Sequence, residues 1–233
     1  MTIEIYSSKK QHILYDADHL SQIDGTFFDP CLWKQQGRLT EPSGGRGQAF
    51  FIEHPNGVHY LLRHYRRGGL VAKISQDKYW FIGLEKSRPF QEFRLTYDLH
   101  SAGLPVPRPL AARVTRTGPF YQGDLITEKV PQAKPFAEFL LEADQHSLWQ
   151  KVGAMIAAFH QWGLNHVDLN ANNILVDRHS KVWLIDFDRC KKMPASGDWQ
   201  QGNLNRLKRS IRKLTRQDVS ETHWNSLQAG YNS

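Results

Sequence analysis

The sequence predicts an α+β chain, with antiparallel β structure in its first half and mainly helices in its second. Three observations carry that expectation. Apolar runs at 49–52 and 58–65 flank Asn56-Gly57, a dipeptide that favours the tight turn of a hairpin. Leu104-Pro105-Val106-Pro107-Arg108-Pro109 is a stiff extended stretch that cannot be helical. Leu148, Val152, Met155, Ile156 and Phe159 then recur at helical spacing in the second half.

Taken in order, residues 1–40 read as an irregular N-terminal leader, with Phe27, Phe28 and Trp33 around Pro30. Residues 41–130 read as the β-rich part. It opens on a glycine-rich turn, Ser43-Gly44-Gly45-Arg46-Gly47, at the edge of the first hairpin. Pro89 to Ala102 predicts a helix, because Phe90, Phe93 and Tyr97 share a face, Pro89 suits a first turn and Gly103 closes the end. Two more strands are expected near Leu110–Val114 and Tyr121–Val130. Residues 131–233 read as the helical part. Ser147 and Gln150 form a capping-box pattern at the start of a helix that runs to Trp162, with Gly163 as its C-terminal cap. Leu204, Leu207, Ile211 and Leu214 mark a last amphipathic helix ringed by basic side chains.

Composition narrows the function classes. At 233 residues and 40% hydrophobic content the chain can build one large or two small cored domains. No apolar run approaches the ~18–20 residues that span a bilayer, and Met1 to Lys10 predicts no secretory signal. Cys31 and Cys190 lie far apart, so free thiols are expected. The net charge of +7 suits an acidic partner. From Arg189 to Arg216 there are nine Lys/Arg against Asp198 as the sole acid. Nucleic acid is not expected, since no aromatic-basic stacking motif accompanies the charge.

Residues 166–188 carry the chemistry. They read His166-x-Asp168-Leu169-x-x-x-Asn173, then Ile174-Leu175-Val176, a polar turn at 177–180, Val182-Trp183-Leu184-Ile185, and Asp186-Phe187-Asp188. Moving a γ-phosphoryl group to a hydroxyl takes a carboxylate to orient the hydroxyl and accept its proton. It also takes oxygen ligands for Mg²⁺. Asp168 suits the first role, and Asn173 and Asp186 suit the second. The hairpin between them returns the chain, so both ends of the segment meet at one site.

This order of glycine turn, basic strand residue, helix glutamate, catalytic loop and Asp-Phe loop resembles the protein-kinase-like fold over roughly residues 40 to 215. The wording of Leu62 to Gly69, Gly103 to Pro107, Asp168 to Leu175 and Leu184 to Arg189 resembles the bacterial Kdo kinases of the lipopolysaccharide kinase group. The resemblance implies a two-lobed fold and phosphorylation of 3-deoxy-D-manno-octulosonic acid (Kdo), at its 4-hydroxyl, on a lipid A precursor. It implies ATP and Mg²⁺ as cofactors and work at the cytoplasmic face of the inner membrane, as a peripheral protein at an anionic surface. A monomer is expected.

Carried over by matching position, the resemblance makes Asp168 the base and Asn173 and Asp186 the metal ligands. His166 is then the structural loop histidine. Glu92 anchors the phosphate-binding basic residue, and Gly44, Gly45 and Gly47 cover the phosphates. Glu128 falls at the hinge beside adenine. The basic residue itself stays open between Arg63, favoured on the second strand, and Lys73 in Val71-Ala72-Lys73. Val167 stands where protein kinases carry arginine, Asp188 replaces the glycine of the Asp-Phe-Gly motif, and no Ala-Pro-Glu motif follows. These departures point away from a regulated protein kinase. A heptose or aminoglycoside-type kinase is the alternative within the fold, although a cationic substrate sits poorly with the charge. A non-catalytic basic binding module is the alternative outside it.

Overall fold

A computed structural model describes residues 2–40, 49–55, 57–66, 77–142, 145–194 and 197–233. Two compact units divide the chain: Met1–Tyr97 with Arg108–Lys129, and Asp98–Pro107 with Val130–Ser233. Residues 98–107, assigned to the β-rich part from sequence, thus group with the later unit. There Val106 is buried and the Pro105 carbonyl accepts the Leu184 N–H at 2.9 Å.

The first unit is built on one antiparallel sheet. Its strands are β1 (Ile3–Ser7), β2 (Gln11–Asp16), β3 (Leu39–Thr40), β4 (Ala49–Glu53), β5 (His59–His64), β6 (Tyr79–Trp80), β7 (Pro109–Thr117) and β8 (Phe120–Glu128). They lie in the order β1-β2-β7-β8-β5-β4-β3, and β6 pairs with the start of β8. Helix α1 (Pro30–Gln35) follows Asp29, whose carboxylate caps the Cys31 N–H. Helix α2 (Arg88–Ser101) matches the expected span within a residue, and Gly103 takes the left-handed φ of 77° just beyond it.

Side chains alternate across the sheet, so each face has its own core. Tyr60 and Leu62 pack with Leu20, Ile23, Phe28 and Trp33. Tyr65, Leu125 and Val114 pack with Phe90 and Phe93 of α2. Residues 1–40 are therefore not an irregular leader. They supply three strands, β1, β2 and β3, and the covering layer of one sheet face. The β1–β2 turn is built of Ser8-Lys9-Lys10, with the Ser8 hydroxyl taking the Gln11 N–H, and has none of the Gly or Asn that mark hairpins. In β2 the neighbours Ile13 and Leu14 are both fully buried, one in each core, which hides the alternation.

The second unit is mainly helical: α3 (His146–Trp162), α4 (Trp199–Thr215) and α5 (Glu221–Tyr231), with short strands β9 (Lys134–Pro135), β10 (Leu164–Asn165), β11 (Ile174–Val176), β12 (Val182–Leu184) and β13 (Lys191–Lys192). The expected capping box does not form. Helix α3 begins one residue earlier, at His146, and its N-cap Gln145 makes no side-chain cap bond. Gly163 caps the other end at φ 97°, as its position implies. Helices α3 and α5 approach backbone to backbone: a Cβ at Gly153 would strike the Leu227 carbonyl, and one at Gly230 the Gln150 carbonyl. Among the described residues no helix is long and apolar enough to cross a membrane.

Candidate active site

In the second unit the hairpin sets the geometry. Ile174 pairs with Leu184, Leu175 with Trp183 and Val176 with Val182. Asp177 organises the turn, its carboxylate accepting from the N–H groups of His179 and Lys181 and from Trp183 Nε1 at 2.9–3.0 Å. The pairing brings Asn173, at one mouth of the hairpin, next to Ile185 and Asp186 at the other, and the Ile185 N–H donates to the Asn173 carbonyl at 3.0 Å.

The loop entering the hairpin is held by its own asparagines. Asn170 Oδ1 accepts from the N–H groups of Asn172 (2.9 Å) and Asn173 (3.1 Å), an Asx turn. The amides of Asn170 and Asn173 both donate to the Asp168 carbonyl at 3.0 Å. With its nitrogen so engaged, Asn173 leaves its carboxamide oxygen as the atom that can ligate a metal. The Asp168 side chain is exposed, as an acceptor of a substrate proton must be. Asp186 sits at φ 67°, a left-handed conformation that Asp and Asn tolerate best after Gly.

His166 is the buried post of the loop, 2% exposed. Burial holds its imidazole below the usual histidine range, against the opposing pulls of the Ile185 carbonyl and the Asp186 and Asp168 carboxylates. The neutral ring donates from Nε2 to the Ile185 carbonyl at 3.1 Å and packs edge-on against Phe187. Asn203 of α4, fully buried, ties this loop to its support. With its amide nitrogen donating to the His166 carbonyl (2.9 Å) and to Asn165 Oδ1 (3.1 Å), its oxygen accepts from His160 Nε2 and the His166 N–H, both at 3.3 Å. His160 in turn bonds the Tyr231 hydroxyl through Nδ1 at 2.8 Å. The sequence carried a signal for Asn203: it is the polar member of a stripe that continues through Leu207 and Ile211.

The first unit holds a second constellation. Arg63 and Tyr65, two apart on one strand face, both point at Glu92 of α2. Arg63 Nη2 lies 2.5 Å from each Glu92 oxygen, and the Tyr65 hydroxyl donates to the same carboxylate. Glu92 is 4% exposed. The Arg63 guanidinium also lies 4.8 Å over the Tyr65 ring, and Arg88 stacks on Tyr65 and Tyr79. Tyr65 and Arg88 were not singled out from sequence, although the i, i+2 spacing of Tyr65 from Arg63 places them on one face. Glu128 ends β8, where its N–H donates to the Arg108 carbonyl at 2.9 Å. Gly44, Gly45, Gly47 and Lys73 lie outside the described residues.

The donor chemistry fits the expected cofactors. An asparagine oxygen and a carboxylate are hard oxygen ligands for Mg²⁺, which completes its shell with waters and phosphate oxygens rather than an all-protein cage. Among the described residues there is no cluster of three or more His, Cys, Asp or Glu that could by itself hold a metal ion. An arginine fixed by a buried carboxylate presents a planar cation to phosphate.

Three comparisons bear on this arrangement. A family model described as the lipopolysaccharide kinase (Kdo/WaaP) family matches residues 31–231. A 3-deoxy-D-manno-octulosonic acid kinase from Vibrio vulnificus is 40% identical over 238 residues, 99% of each chain. One from Xanthomonas campestris pv. campestris is 43% identical over 216 residues, 91% of this chain and 86% of its own. The crystal structure of the Rio2 kinase–ADP/Mg²⁺–phosphoaspartate complex from Chaetomium thermophilum aligns at TM-score 0.52 with 17% identity, over 84% of this chain and 62% of that one.

Proposed function

The chain belongs to the lipopolysaccharide kinase (Kdo/WaaP) family, and from that premise we propose that it moves the γ-phosphoryl group of ATP to the 4-hydroxyl of a Kdo sugar on a lipid A precursor. It has the α+β, protein-kinase-like fold and is a kinase. The acceptor is proposed from the relatives and the residue roles from the matching motifs, with the geometry around Asp168, Asn173, Asp186 and Arg63 supporting theirs.

Asp168 orients the acceptor hydroxyl and takes its proton as the oxygen attacks the γ-phosphorus. The bond to the β–γ bridging oxygen breaks, and ADP leaves. Asn173 and Asp186 would hold Mg²⁺, which would supply positive charge to offset that of the phosphates. Arg63, fixed by Glu92, binds phosphate. The glycine turn Gly44, Gly45 and Gly47 and the hinge at Glu128 complete the nucleotide site. The observation that carries this reading is the clipped loop that sets the exposed Asp168 beside Asn173 and the returning Asp186.

We further propose that the protein works in assembly of the lipopolysaccharide core, as a monomer at the cytoplasmic face of the inner membrane. Supporting that placement, Arg209, Arg212, Lys213 and Arg216 line one shallow basic depression at the end of α4. Each such cation near an anionic surface contributes roughly 1 kcal/mol.

The test is transfer of label from γ-labelled ATP to a Kdo-bearing lipid A precursor with Mg²⁺, beside Asp168→Ala and Asp186→Asn. The expected result is labelled lipid with the parent chain and none with either variant. Unlabelled lipid with the parent, or full activity in Asp168→Ala, would overturn the reading.

A further inference from the structure

Strand β6 and the residues just after it display large apolar side chains to solvent. Tyr79 pairs with Tyr121 and is buried in the α2-facing core. The alternation of a strand then turns Trp80 outward, where it pairs with Phe120, their rings 4.6 Å apart. Trp80 is 64% exposed and Ile82, two residues on, 69%. These are among the largest exposures of any big apolar side chain described, and they sit together.

The backbone beneath them is firmly built. The Phe81 N–H donates to the Pro119 carbonyl at 2.9 Å. The turn passes through Gly118 at φ 58°, whose carbonyl takes Arg116 Nε at 3.1 Å. The Arg116 guanidinium covers the Phe81 ring at 4.6 Å. Exposure here is thus a property of an ordered hairpin rather than of a loose loop.

The rim of the patch is cationic. Lys78 and Lys86 flank it in sequence, and both are exposed. The Arg116 N–H donates to the Lys10 carbonyl at 2.7 Å, which brings the exposed Lys9-Lys10 turn to the same hairpin. The two nearby acids are already engaged: Glu85 by Arg94, and Asp77 by His64 and Gln122.

We propose that the Trp80–Ile82–Phe120 tip inserts into the interfacial layer of an anionic lipid bilayer. An indole prefers the headgroup level, isoleucine and phenylalanine the acyl boundary just below it, and a lysine and arginine rim the lipid phosphates. A soluble acidic partner would match the cations but leave two large apolar side chains without a reason to be displayed. The inference rests on the membrane-borne acceptor proposed above.

Sedimentation of the full chain with vesicles tests it, using phosphatidylcholine alone and phosphatidylcholine mixed with phosphatidylglycerol. The parent is expected to bind the mixed vesicles, and Trp80→Ala/Ile82→Ala to bind them at least about tenfold more weakly. Both positions are exposed, so the variant is expected to keep its circular dichroism and melting temperature. As a second readout, acyl-brominated lipid quenches part of the parent's tryptophan emission, and Trp80→Phe removes that part. Equal binding by parent and double variant, or quenching that survives in Trp80→Phe, overturns the inference. So does a parent that ignores vesicles but is pulled down through Trp80 by an acidic protein. Each of these results leaves the phosphoryl-transfer reading standing, because that reading is measured by label on the sugar.

Discussion

Replacing Glu92 tests whether the Arg63–Glu92–Tyr65 cluster serves binding or only stability. The carboxylate is buried and receives both Arg63 and Tyr65. Removing one partner of a buried ion pair costs about 3–5 kcal/mol. The Arg63 side chain, however, keeps 26% of its surface in solvent, so its stranded charge stays partly hydrated. Glu92→Ala is therefore expected at or just below the low end of that range, about 2–3 kcal/mol. Glu92→Gln keeps one acceptor and is expected to cost about 1–2 kcal/mol. Urea unfolding reads both. The apolar pair Arg63→Met/Glu92→Leu separates the two roles. It strands no charge, so stability is expected to return to within about 1 kcal/mol of the parent. Binding of ATP is not expected to return, because the cation proposed to bind its phosphates is gone. The KM for ATP in that double variant is expected to stay at least about tenfold raised. Recovery of both stability and nucleotide affinity would refute the reasoning and return the cluster to a purely structural role.

Three further outcomes follow from the geometry. Asp168→Ala is expected to unfold within about 0.5 kcal/mol of the parent, since its side chain is exposed and the asparagine clips use its carbonyl; a large loss in urea midpoint would contradict that picture. The second unit is expected to weaken in acid through His160. Burial pushes this imidazole from the ordinary 6.5 down to about 4, so between those values the unfolded chain binds a proton that the folded one refuses. Stability then rises with pH across that window, is complete above about 6.5, and falls by about 3 kcal/mol on acidification to 4; His160→Gln is expected to flatten that part of the pH profile relative to the parent. Gly153→Ala is expected to cost about 3 kcal/mol or more, measured by thermal melting, because its methyl group meets the Leu227 carbonyl, and backbone cannot step aside as a side chain can.

What the sequence disclosed, and what it hid, has a physical pattern. The 166–188 segment was legible because hairpin pairing, turn residues and chemistry-bearing side chains all sit within one short stretch, where local rules govern. Helix α2 and the cap at Gly163 were legible for the same reason. The strands of residues 1–40 were hidden, since β1 is an exposed edge whose turn lacks Gly or Asn and β2 buries two neighbours on opposite faces. Helix α5 was hidden because Trp224 and Leu227 are its only large buried side chains, while Gly230 reads as a breaker although it serves close packing against α3. Asn203 was overlooked as a polar interruption, and its role depends on His160, His166 and Asn165 meeting through tertiary structure. The Ser147 capping pattern shows the reverse error: a valid local motif lost when the helix started a residue sooner.

The left-handed backbone at Asp186 has a consequence written in the genetic code. The conformation admits Asp, Asn or Gly with little strain, while the proposed metal site needs the negative charge that Asp alone of the three supplies. Either aspartate codon becomes an asparagine or a glycine codon by a single base change. A stable but silent protein therefore lies one mutational step away. A lineage released from the need for this reaction is expected to accumulate such well-folded relics at this codon before it accumulates misfolded ones.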